Sequence, residues 1–203
     1  MKELFIQILA FILLILTLPL LFLLFILIKL TDKGPFMFKQ KRTGKNNNSF
    51  LVYKIRTMVV DAENLKSKIE YLNEVDGPVF KIHNDPRYTK IGKFLSHTGL
   101  DELPQLINII KGEMDFVGPR PLPVSEAKLI PQKYQKRLDV LPGITSPWIL
   151  QGAHKLSFKE WMESDIDYIQ NKTIWYDSIL FIRTFLLILS YIYKKLFNKD
   201  EGA

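Results

Sequence analysis

The fold of this chain is decided near its start, where residues 4–28 read LFIQILAFILLILTLPLLFLLFILI. The stretch contains no charged residue and a single strongly polar one, Gln7. It is 25 residues long, and an apolar helix of about 20 residues can cross a hydrocarbon core of ~30 Å. The sequence therefore predicts a membrane helix over residues 1–30 and a single domain over residues 31–203.

The residues that follow this apolar segment argue against a cleaved signal peptide and predict its orientation. A signal peptide has a shorter apolar stretch and a small-residue cleavage site, whereas here the sequence continues as KLTDK at 29–33. Six basic residues lie between positions 29 and 45, against one before the segment. The positive-inside rule therefore predicts that everything after Lys29 lies in the cytoplasm.

Pro19 lies near the middle of the apolar segment and complicates a simple span. Proline lacks an N–H group and clashes with the preceding helical turn, so it predicts a break or a kink. A kinked helix can still cross the bilayer, or it can turn back to the same face. Thr17 could bond to one of the carbonyls freed in lipid. The residues alone favour crossing and leave both topologies open.

Composition excludes several classes of protein. The 203 residues include no Cys and only three His, so a disulfide scaffold, thiol catalysis and a thiolate zinc site are excluded, and a His-based metal site is disfavoured. The net charge is +7, with 28 Lys and Arg against 21 Asp and Glu. No nucleic-acid-binding motif accompanies this charge. Anionic membrane lipid and a phosphorylated substrate explain it better.

Local patterns predict an α+β domain that is mostly helical. Two β-prone runs, at 36–38 and 50–53, flank the Gly/Asn-rich turn at 44–48, which is typical of a small β-hairpin. Three helices are predicted after it: one capped by Asp61, one from Asp101 to Gly112, and one opened by a Ser157–Glu160 capping box.

The last apolar segment, residues 174–197, contains Asp177 and Arg183 and ends with Lys194 and Lys195. Its uncharged run covers only ten residues, 184–193, which is too short for a second span. The pattern predicts an amphipathic helix at the lipid interface, where its basic end would meet anionic headgroups. A core helix with a solvated tail fits the pattern equally well.

Asp101 and Glu102 stand at the predicted start of a helix, where acidic residues are common as ordinary caps. Their surroundings favour a chemical role. Arg120 lies between two prolines, which would hold its side chain in place to bind phosphate. Lys54 and Arg56 add positive charge that would bind a phosphorylated substrate. The helix N-terminus and the cations would keep Asp101 ionised, as a carboxylate nucleophile requires.

Several sequence blocks appear in a fixed order along the chain. They are FKQKRTGK (38–45), YKIRTM (53–58), DPR (85–87), LDELPQL (100–106), KGEM (111–114), VGPRP (117–121) and PGIT (142–145). Together with the apolar N-terminus, these blocks closely resemble the bacterial sugar transferases, the small monotopic phosphoglycosyl transferases. The resemblance covers essentially the whole chain, which makes it far more specific than a single motif.

The resemblance implies an enzyme that moves a sugar-1-phosphate from a UDP-sugar to polyprenyl (undecaprenyl) phosphate and releases UMP. By this resemblance Asp101 is the nucleophile of a covalent intermediate, and Glu102 is an acid/base or metal-side group. Lys54 and Arg120 fall on basic positions near the phosphates, and Asp177 falls on another functional acid. The resemblance also implies Mg²⁺, for which Asp101 is the candidate ligand.

The resemblance also implies a location and a pathway. The N-terminal helix would be re-entrant and broken near Pro19, with both ends at the cytoplasmic face of the bacterial inner membrane. This reverses the preference for crossing that the residues alone gave. The product would begin the assembly of a glycan, with membrane lipid around the enzyme and downstream glycosyltransferases as possible partners.

Three departures from the family pattern stand out. Leu18 replaces the usual serine before Pro19, Ser96 replaces an arginine five residues before the nucleophile, and Ala153 replaces another arginine. His154 could substitute in part for the second arginine, although a surface role suits it better. Ser96 and Ala153 leave room for one rival function, a catalytically inactive membrane scaffold. A second rival is a metal-dependent phosphodiester hydrolase, in which water instead of lipid phosphate accepts the group.

Overall fold

The computed structural model describes residues 2–152 and 156–197. Its helices and strands, in chain order, are α1 (Lys2–Thr31), β1 (Met37–Thr43), β2 (Ser49–Ile55), α2 (Ala62–Leu65), α3 (Lys90–Thr98), α4 (Leu106–Ile110), β3 (Asp115–Val117), α5 (Val124–Ala127), β4 (Gly143–Thr145), α6 (Pro147–Leu150), α7 (Phe158–Asn171) and α8 (Ile174–Phe197). Short 3₁₀ helices cover Lys45–Asn47, Lys66–Leu72, Leu100–Gln105 and Gln132–Leu138. The predicted α+β, mostly helical fold is confirmed.

Two small sheets organise the domain. β1 and β2 form the predicted antiparallel hairpin, with Met37 opposite Ile55 and Thr43 opposite Ser49. β3 and β4 pair in parallel, so the VGP and PGI segments lie side by side. The backbones approach so closely there that a Cβ on Gly143 would lie 2.1 Å from the Gly118 nitrogen. Only glycine fits at position 143, where β4 approaches the end of β3.

The region after the hairpin is less regular than predicted. The helix that Asp61 precedes continues as α2 for a single turn and then becomes the 3₁₀ helix Lys66–Leu72, and the Asp61 side chain makes no capping hydrogen bond. The helix predicted from Asp101 divides into the 3₁₀ helix Leu100–Gln105 and α4. The Ser157–Glu160 capping box is confirmed at the start of α7.

Helix α1 runs without interruption from Lys2 to Thr31, with Pro19 inside it. The helix is therefore not divided in two at Pro19, and the alternative prediction, a kink there, stays a prediction. The Thr17 hydroxyl bonds to the carbonyls of Leu13 (2.9 Å) and Leu14 (3.0 Å), not to that of Ile15, which proline at position 19 leaves without its usual donor.

Both halves of α1 pack against the polar domain. In the first half, Ala10 is fully buried in a cluster with Leu106 and Ile109 of α4. In the second half, Leu24 and Ile28 are buried in a cluster with residues of β2 and α3. The opposite face of α1 is exposed and almost wholly apolar. The helix therefore lies along the domain instead of projecting from it.

Helix α8 is also attached to the domain by one face. Leu180 and Thr184 are buried, and the Thr184 hydroxyl lies 2.6 Å from that of Thr145 in β4. Phe185 and Leu186, by contrast, are more than half exposed. Two segments, Glu3–Thr31 and Ile174–Lys194, are long and apolar enough to cross a membrane. Length and composition therefore do not exclude α8 as a span, contrary to the prediction.

The packing of α1 predicts unequal effects for two substitutions on that helix. Leu24→Ala removes a side chain that is 6% exposed and should lower the free energy of unfolding by ~2–5 kcal/mol, because it leaves a cavity. Leu16→Ala, at a position that is 69% exposed, should change it by about 0.5 kcal/mol or less in detergent. Thermal unfolding of both variants measures this, and equal losses would contradict the packing of α1.

Candidate active site

Three separate segments bring the candidate catalytic residues together. Asp101 and Glu102 lie in the 3₁₀ helix that follows α3, and Gly99 (φ 71°) makes the turn between the two helices. Lys54 comes from β2, which lies against this 3₁₀ helix. Arg120 comes from the loop after β3. The structure brings these four residues together, and their roles in catalysis and substrate binding stay predictions.

One oxygen of Glu102 binds both cations. Lys54 Nζ lies 2.6 Å from Glu102 Oε1, and Arg120 Nη1 lies 3.1 Å from the same atom. Lys54 Nζ is also 3.8 Å from Asp101 Oδ2. The side chains of Glu102 and Asp101 are only 13% and 7% exposed, so water screens these charges weakly. The two cations are thus fixed beside Asp101 while making their short contacts with Glu102.

The surroundings separate the two carboxyl pKa values. Burial is the main influence on Asp101 and raises its pKa to about 6, against the opposing charge of Lys54. Burial also acts on Glu102, but Lys54 and Arg120 outweigh it and hold the pKa of Glu102 at about 2. Two neighbouring carboxyls with well-separated pKa values are typical of a pair with two distinct roles.

These shifts bear on two expectations. The pKa of Asp101 is raised, so the predicted effect of a helix N-terminus and cations does not dominate there, although a pKa of about 6 still leaves the carboxylate mostly ionised at neutral pH. Lys54 and Arg120 lower the pKa of Glu102, which disfavours it as a proton donor, and its acid/base or metal-side role stays a prediction. Its contacts instead suit the positioning of Lys54 and Arg120.

A buried ion pair holds the backbone of Arg120. Arg137 Nη2 donates to the Arg120 carbonyl (2.8 Å) and to Asp165 Oδ2 (2.8 Å), and the Arg137 and Asp165 side chains are 2% and 0% exposed. The Gly143 N–H donates to the Pro119 carbonyl (3.1 Å). The rigid presentation of Arg120 therefore rests on these tertiary bonds as well as on its flanking prolines. Sequence reasoning missed Arg137 and Asp165, because no local pattern pairs them.

The comparisons with known proteins agree with this geometry. A profile of the family described as "Bacterial sugar transferase" matches residues 1–191, which include every residue of the site described above. This chain belongs to the bacterial sugar transferase family.

Individual members of the family are similar over most of this chain. It is 41% identical over 159 residues to "Galactosyl transferase CpsE" of Streptococcus agalactiae, which covers 78% of this chain and 35% of that protein. It is 35% identical over 187 residues to "UDP-glucose:undecaprenyl-phosphate glucose-1-phosphate transferase" of Escherichia coli, with 88% and 38% covered. It is 35% identical over 170 residues to "Exopolysaccharide production protein ExoY" of Rhizobium meliloti, with 82% and 75% covered. This chain therefore spans little more than a third of the length of these first two relatives.

The structure places Asp177 in a second polar cluster. Its carboxylate accepts a hydrogen bond from the Tyr168 hydroxyl (2.6 Å) and lies 3.4 Å from Lys172 Nζ. Tyr168 and Lys172 also donate to the Val117 carbonyl, at 2.9 and 3.2 Å. Val117 ends β3, three residues before Arg120. These contacts support the end of β3, whereas the sequence analysis expected Asp177 to bind substrate.

Arg56 has a structural role, contrary to its prediction as a substrate-binding residue. Its guanidinium donates to Asp32 Oδ2 (2.8 Å) and to the carbonyls of Pro35 (2.6 Å) and Met58 (3.2 Å). The side chain is 6% exposed. Arg56 therefore ties the segment after α1 to the end of β2 and does not join Lys54 at the carboxylates.

The structure shows the contacts of Ser96, one of the positions that depart from the family pattern. The Ser96 hydroxyl lies 2.9 Å from that of Tyr88, whose pKa is raised, chiefly by burial and also by the charge of Asp101. A protonated phenol therefore contacts Ser96 and lies close enough to Asp101 for that charge to act on it. Ala153 and His154 lie outside the described residues.

The contact that holds the Arg120 backbone can be tested without changing Arg120 itself. Arg137→Met breaks the bond to the Arg120 carbonyl and leaves the Asp165 charge buried and unpaired, so it should lower the free energy of unfolding by ~3–5 kcal/mol. Lys136→Met changes an exposed neighbour on the same 3₁₀ helix and should have little effect. Denaturant unfolding compares the two, and a loss below about 1 kcal/mol in Arg137→Met would contradict this role.

Proposed function

We propose that this chain transfers a sugar-1-phosphate from a UDP-sugar to polyprenyl (undecaprenyl) phosphate and releases UMP, through a covalent intermediate on Asp101. Family membership supports a sugar transferase, and the name of the Escherichia coli relative specifies a nucleotide-sugar donor and a lipid-phosphate acceptor for that protein. The observation that carries the mechanism is Asp101 itself. It is a buried carboxylate with a pKa of about 6, and Glu102 holds two cations beside it.

The chemistry takes place in two displacements at one phosphorus atom. An oxygen of Asp101 attacks the sugar-linked phosphorus of the donor, and the bond from that phosphorus to the UMP oxygen breaks, so UMP leaves with the electron pair. An oxygen of the polyprenyl phosphate then attacks the same phosphorus and breaks the aspartyl bond. The product is a polyprenyl diphosphate sugar, and the Asp101 carboxylate is regenerated.

Lys54 and Arg120 make the first attack feasible. An ionised carboxylate and a diphosphate repel each other unless nearby cations neutralise part of their charge. Lys54 lies 3.8 Å from Asp101, and Arg120 is joined to the same dyad through Glu102. Because Glu102 stays ionised, it keeps both cations in place throughout the cycle.

Magnesium belongs to the proposal, and the donor set fits it. In the part of the chain that the structure describes, no group of three or more His, Asp or Glu side chains could form a complete metal cage. Mg²⁺ often binds through one or two carboxylates together with substrate phosphates and water. Asp101 can supply that carboxylate, since Glu102 already binds Lys54 and Arg120. A bound Mg²⁺ would neutralise charge on the diphosphate.

The same proposal places the protein at the cytoplasmic face of the bacterial inner membrane, with α1 re-entrant rather than spanning. A spanning helix would carry one of its ends across ~30 Å of hydrocarbon, away from the domain. Here Ala10 and Leu24, in opposite halves of α1, are both buried against the same domain. The outer face of α1 would contact lipid. The lipid-linked product would then pass to glycosyltransferases that extend the glycan.

The role of Asp101 is tested by Asp101→Asn, with the exposed Asp139→Asn as a matched control. The amide cannot attack phosphorus, so UMP release from UDP-galactose or UDP-glucose should fall by at least about a thousandfold, while the control keeps its activity. Intact-mass spectrometry of wild-type protein with donor alone should find a hexose-phosphate adduct that Asp101→Asn lacks. Full activity in Asp101→Asn would remove this residue from the mechanism.

The acceptor requirement separates the transferase from its two rivals. With undecaprenyl phosphate present, a transferase should release UMP continuously. Without it, release should stop once each enzyme molecule has released one UMP. Continuous release without the lipid would instead indicate a hydrolase. No release under either condition, with correctly folded protein and either donor, would favour an inactive scaffold.

Single cysteines test the topology, because the chain contains no Cys of its own. In intact cells, Glu3→Cys and Lys33→Cys should both resist a membrane-impermeant maleimide and react only after the inner membrane is opened. This result follows if both ends of α1 face the cytoplasm. Labelling of Glu3→Cys from outside intact cells would show that α1 crosses the membrane.

A further inference from the structure

We propose that Lys81 and Arg120, which both lie over the ring of Trp148, form a second phosphate-binding site beside the Asp101–Glu102 dyad. The inference rests on the proposed transfer reaction and deepens it, because each of its two steps holds two phosphate groups at the site. The first step holds the two phosphates of the donor, and the second holds the phosphate on Asp101 and that of the lipid acceptor. Lys54, Arg120 and Glu102 account for charge at only one of them.

The Trp148 ring is a fixed surface. The residue is 4% exposed, and its ring stacks on that of Trp161, with centroids 4.4 Å apart and planes at 18°. Lys81 Nζ lies 3.9 Å from the Trp148 centroid, and Arg120 Cζ lies 5.6 Å from it. Since Trp161 covers one face, the Lys81 ammonium must lie over the other. Two cations thus lie over the same aromatic ring.

The backbone of Lys81 is held in place as firmly as that of Arg120. Its N–H donates to the Asn73 side-chain oxygen (2.7 Å), and its carbonyl accepts from the Glu74 N–H (2.9 Å). Asn73 also donates to the carbonyls of Val75 (2.8 Å) and Val79 (3.0 Å). These bonds close the 73–81 loop around one amide side chain. These bonds therefore fix the backbone from which the Lys81 side chain extends before any ligand binds.

The charges around Lys81 do not balance. Among the described residues no carboxylate oxygen lies within 4.0 Å of its ammonium, whereas Lys54 and Arg120 share Glu102. Burial, followed by the positive charge of Arg120, lowers the pKa of Lys81 to about 7, and Glu74 and Glu102 only partly oppose this. A partly buried cation beside another cation is unfavourable until an anion joins them. A phosphate group would supply that anion.

The two side chains suit a phosphate in complementary ways. Arg120 offers a planar set of N–H donors, and Lys81 offers a compact ammonium charge. Arg120 already touches Glu102, so it connects the new site to the dyad. A phosphate held by Lys81 and Arg120 would therefore lie next to the phosphorus that Asp101 attacks. It can belong to the UMP portion of the donor or to the lipid acceptor.

Three variants test the site in the full-length protein in lipid nanodiscs. Lys81→Met keeps the side-chain length and its packing on Trp148 but removes the charge, and Lys81→Arg keeps the charge. Lys133→Met is the matched control, because Lys133 lies 4.7 Å from the ring of Tyr134 on an exposed surface. Lys81→Met should raise the KM of one phosphate substrate by about tenfold or more, which is the effect expected from losing a charge-assisted bond. Lys133→Met should stay within about twofold of wild type, and at pH 6.5, where wild-type Lys81 is mostly protonated, Lys81→Arg should give a lower KM than Lys81→Met.

The substrate whose KM changes identifies the phosphate. A rise for UDP-galactose or UDP-glucose assigns the site to the donor, and a rise for undecaprenyl phosphate assigns it to the acceptor. If neither KM for Lys81→Met differs from that for Lys133→Met, the proposed site is wrong.

The pH dependence gives a readout that a merely structural role of Lys81 would not change. As the pH rises through about 7, wild-type Lys81 loses its proton, whereas arginine in its place stays charged. The ratio of wild-type to Lys81→Arg kcat/KM should therefore fall between pH 6.5 and 8.5 for the substrate that the site binds. A constant ratio would overturn the proposal, and this comparison remains available if Lys81→Met fails to fold.

Equilibrium binding keeps this test separate from the transfer reaction. UDP and undecaprenyl phosphate can each be titrated into wild type and Lys81→Met without any turnover. Weaker binding of either compound to the variant supports the site, even if wild-type protein releases no UMP and the proposed function fails. Equal binding of both compounds overturns the site, even if the transfer reaction is confirmed.

Discussion

The geometry of the candidate active site depends on a single carboxylate oxygen. Glu102 Oε1 accepts bonds from Lys54 on the hairpin and from Arg120 on the loop after β3, so it joins three segments that are distant in sequence. The contact keeps Glu102 ionised and concentrates positive charge beside Asp101. Asp101 has no such short ion pair, and burial dominates its pKa. The pKa values of these two adjacent acids are therefore shifted in opposite directions by different causes.

The rest of the domain holds the candidate site in place through the segment from Val117 to Arg120. The buried Arg137–Asp165 pair bonds to its Arg120 end, and the Tyr168–Lys172–Asp177 cluster bonds to its Val117 end. Asp165 and Tyr168 both lie on α7, and Asp177 lies in the first turn of α8. The two long C-terminal helices thus support a loop of four residues. Asp177 is connected to the site through this support.

The sequence predicted the hairpin, the α7 capping box and the group of Asp101, Glu102, Lys54 and Arg120, because each depends on a local pattern or an ordered block. The assignment of Arg56 was wrong because β2 ends at Ile55, and the next side chain turns to Asp32. The Arg137–Asp165 pair spans 28 positions, and no periodicity indicates such a contact. The raised pKa of Asp101 depends on burial, which only the tertiary structure shows.

The attachment of α1 along its whole length has a mechanical consequence. Because Ala10 and Leu24 are both locked to the domain that carries the dyad, the helix cannot tilt without moving Asp101 with it. If the apolar face of α1 is immersed in lipid, as proposed, it sets the height of Asp101 relative to the acyl chains. An acceptor that diffuses within the leaflet would then meet the site at a constant level, and its search would be confined to two dimensions.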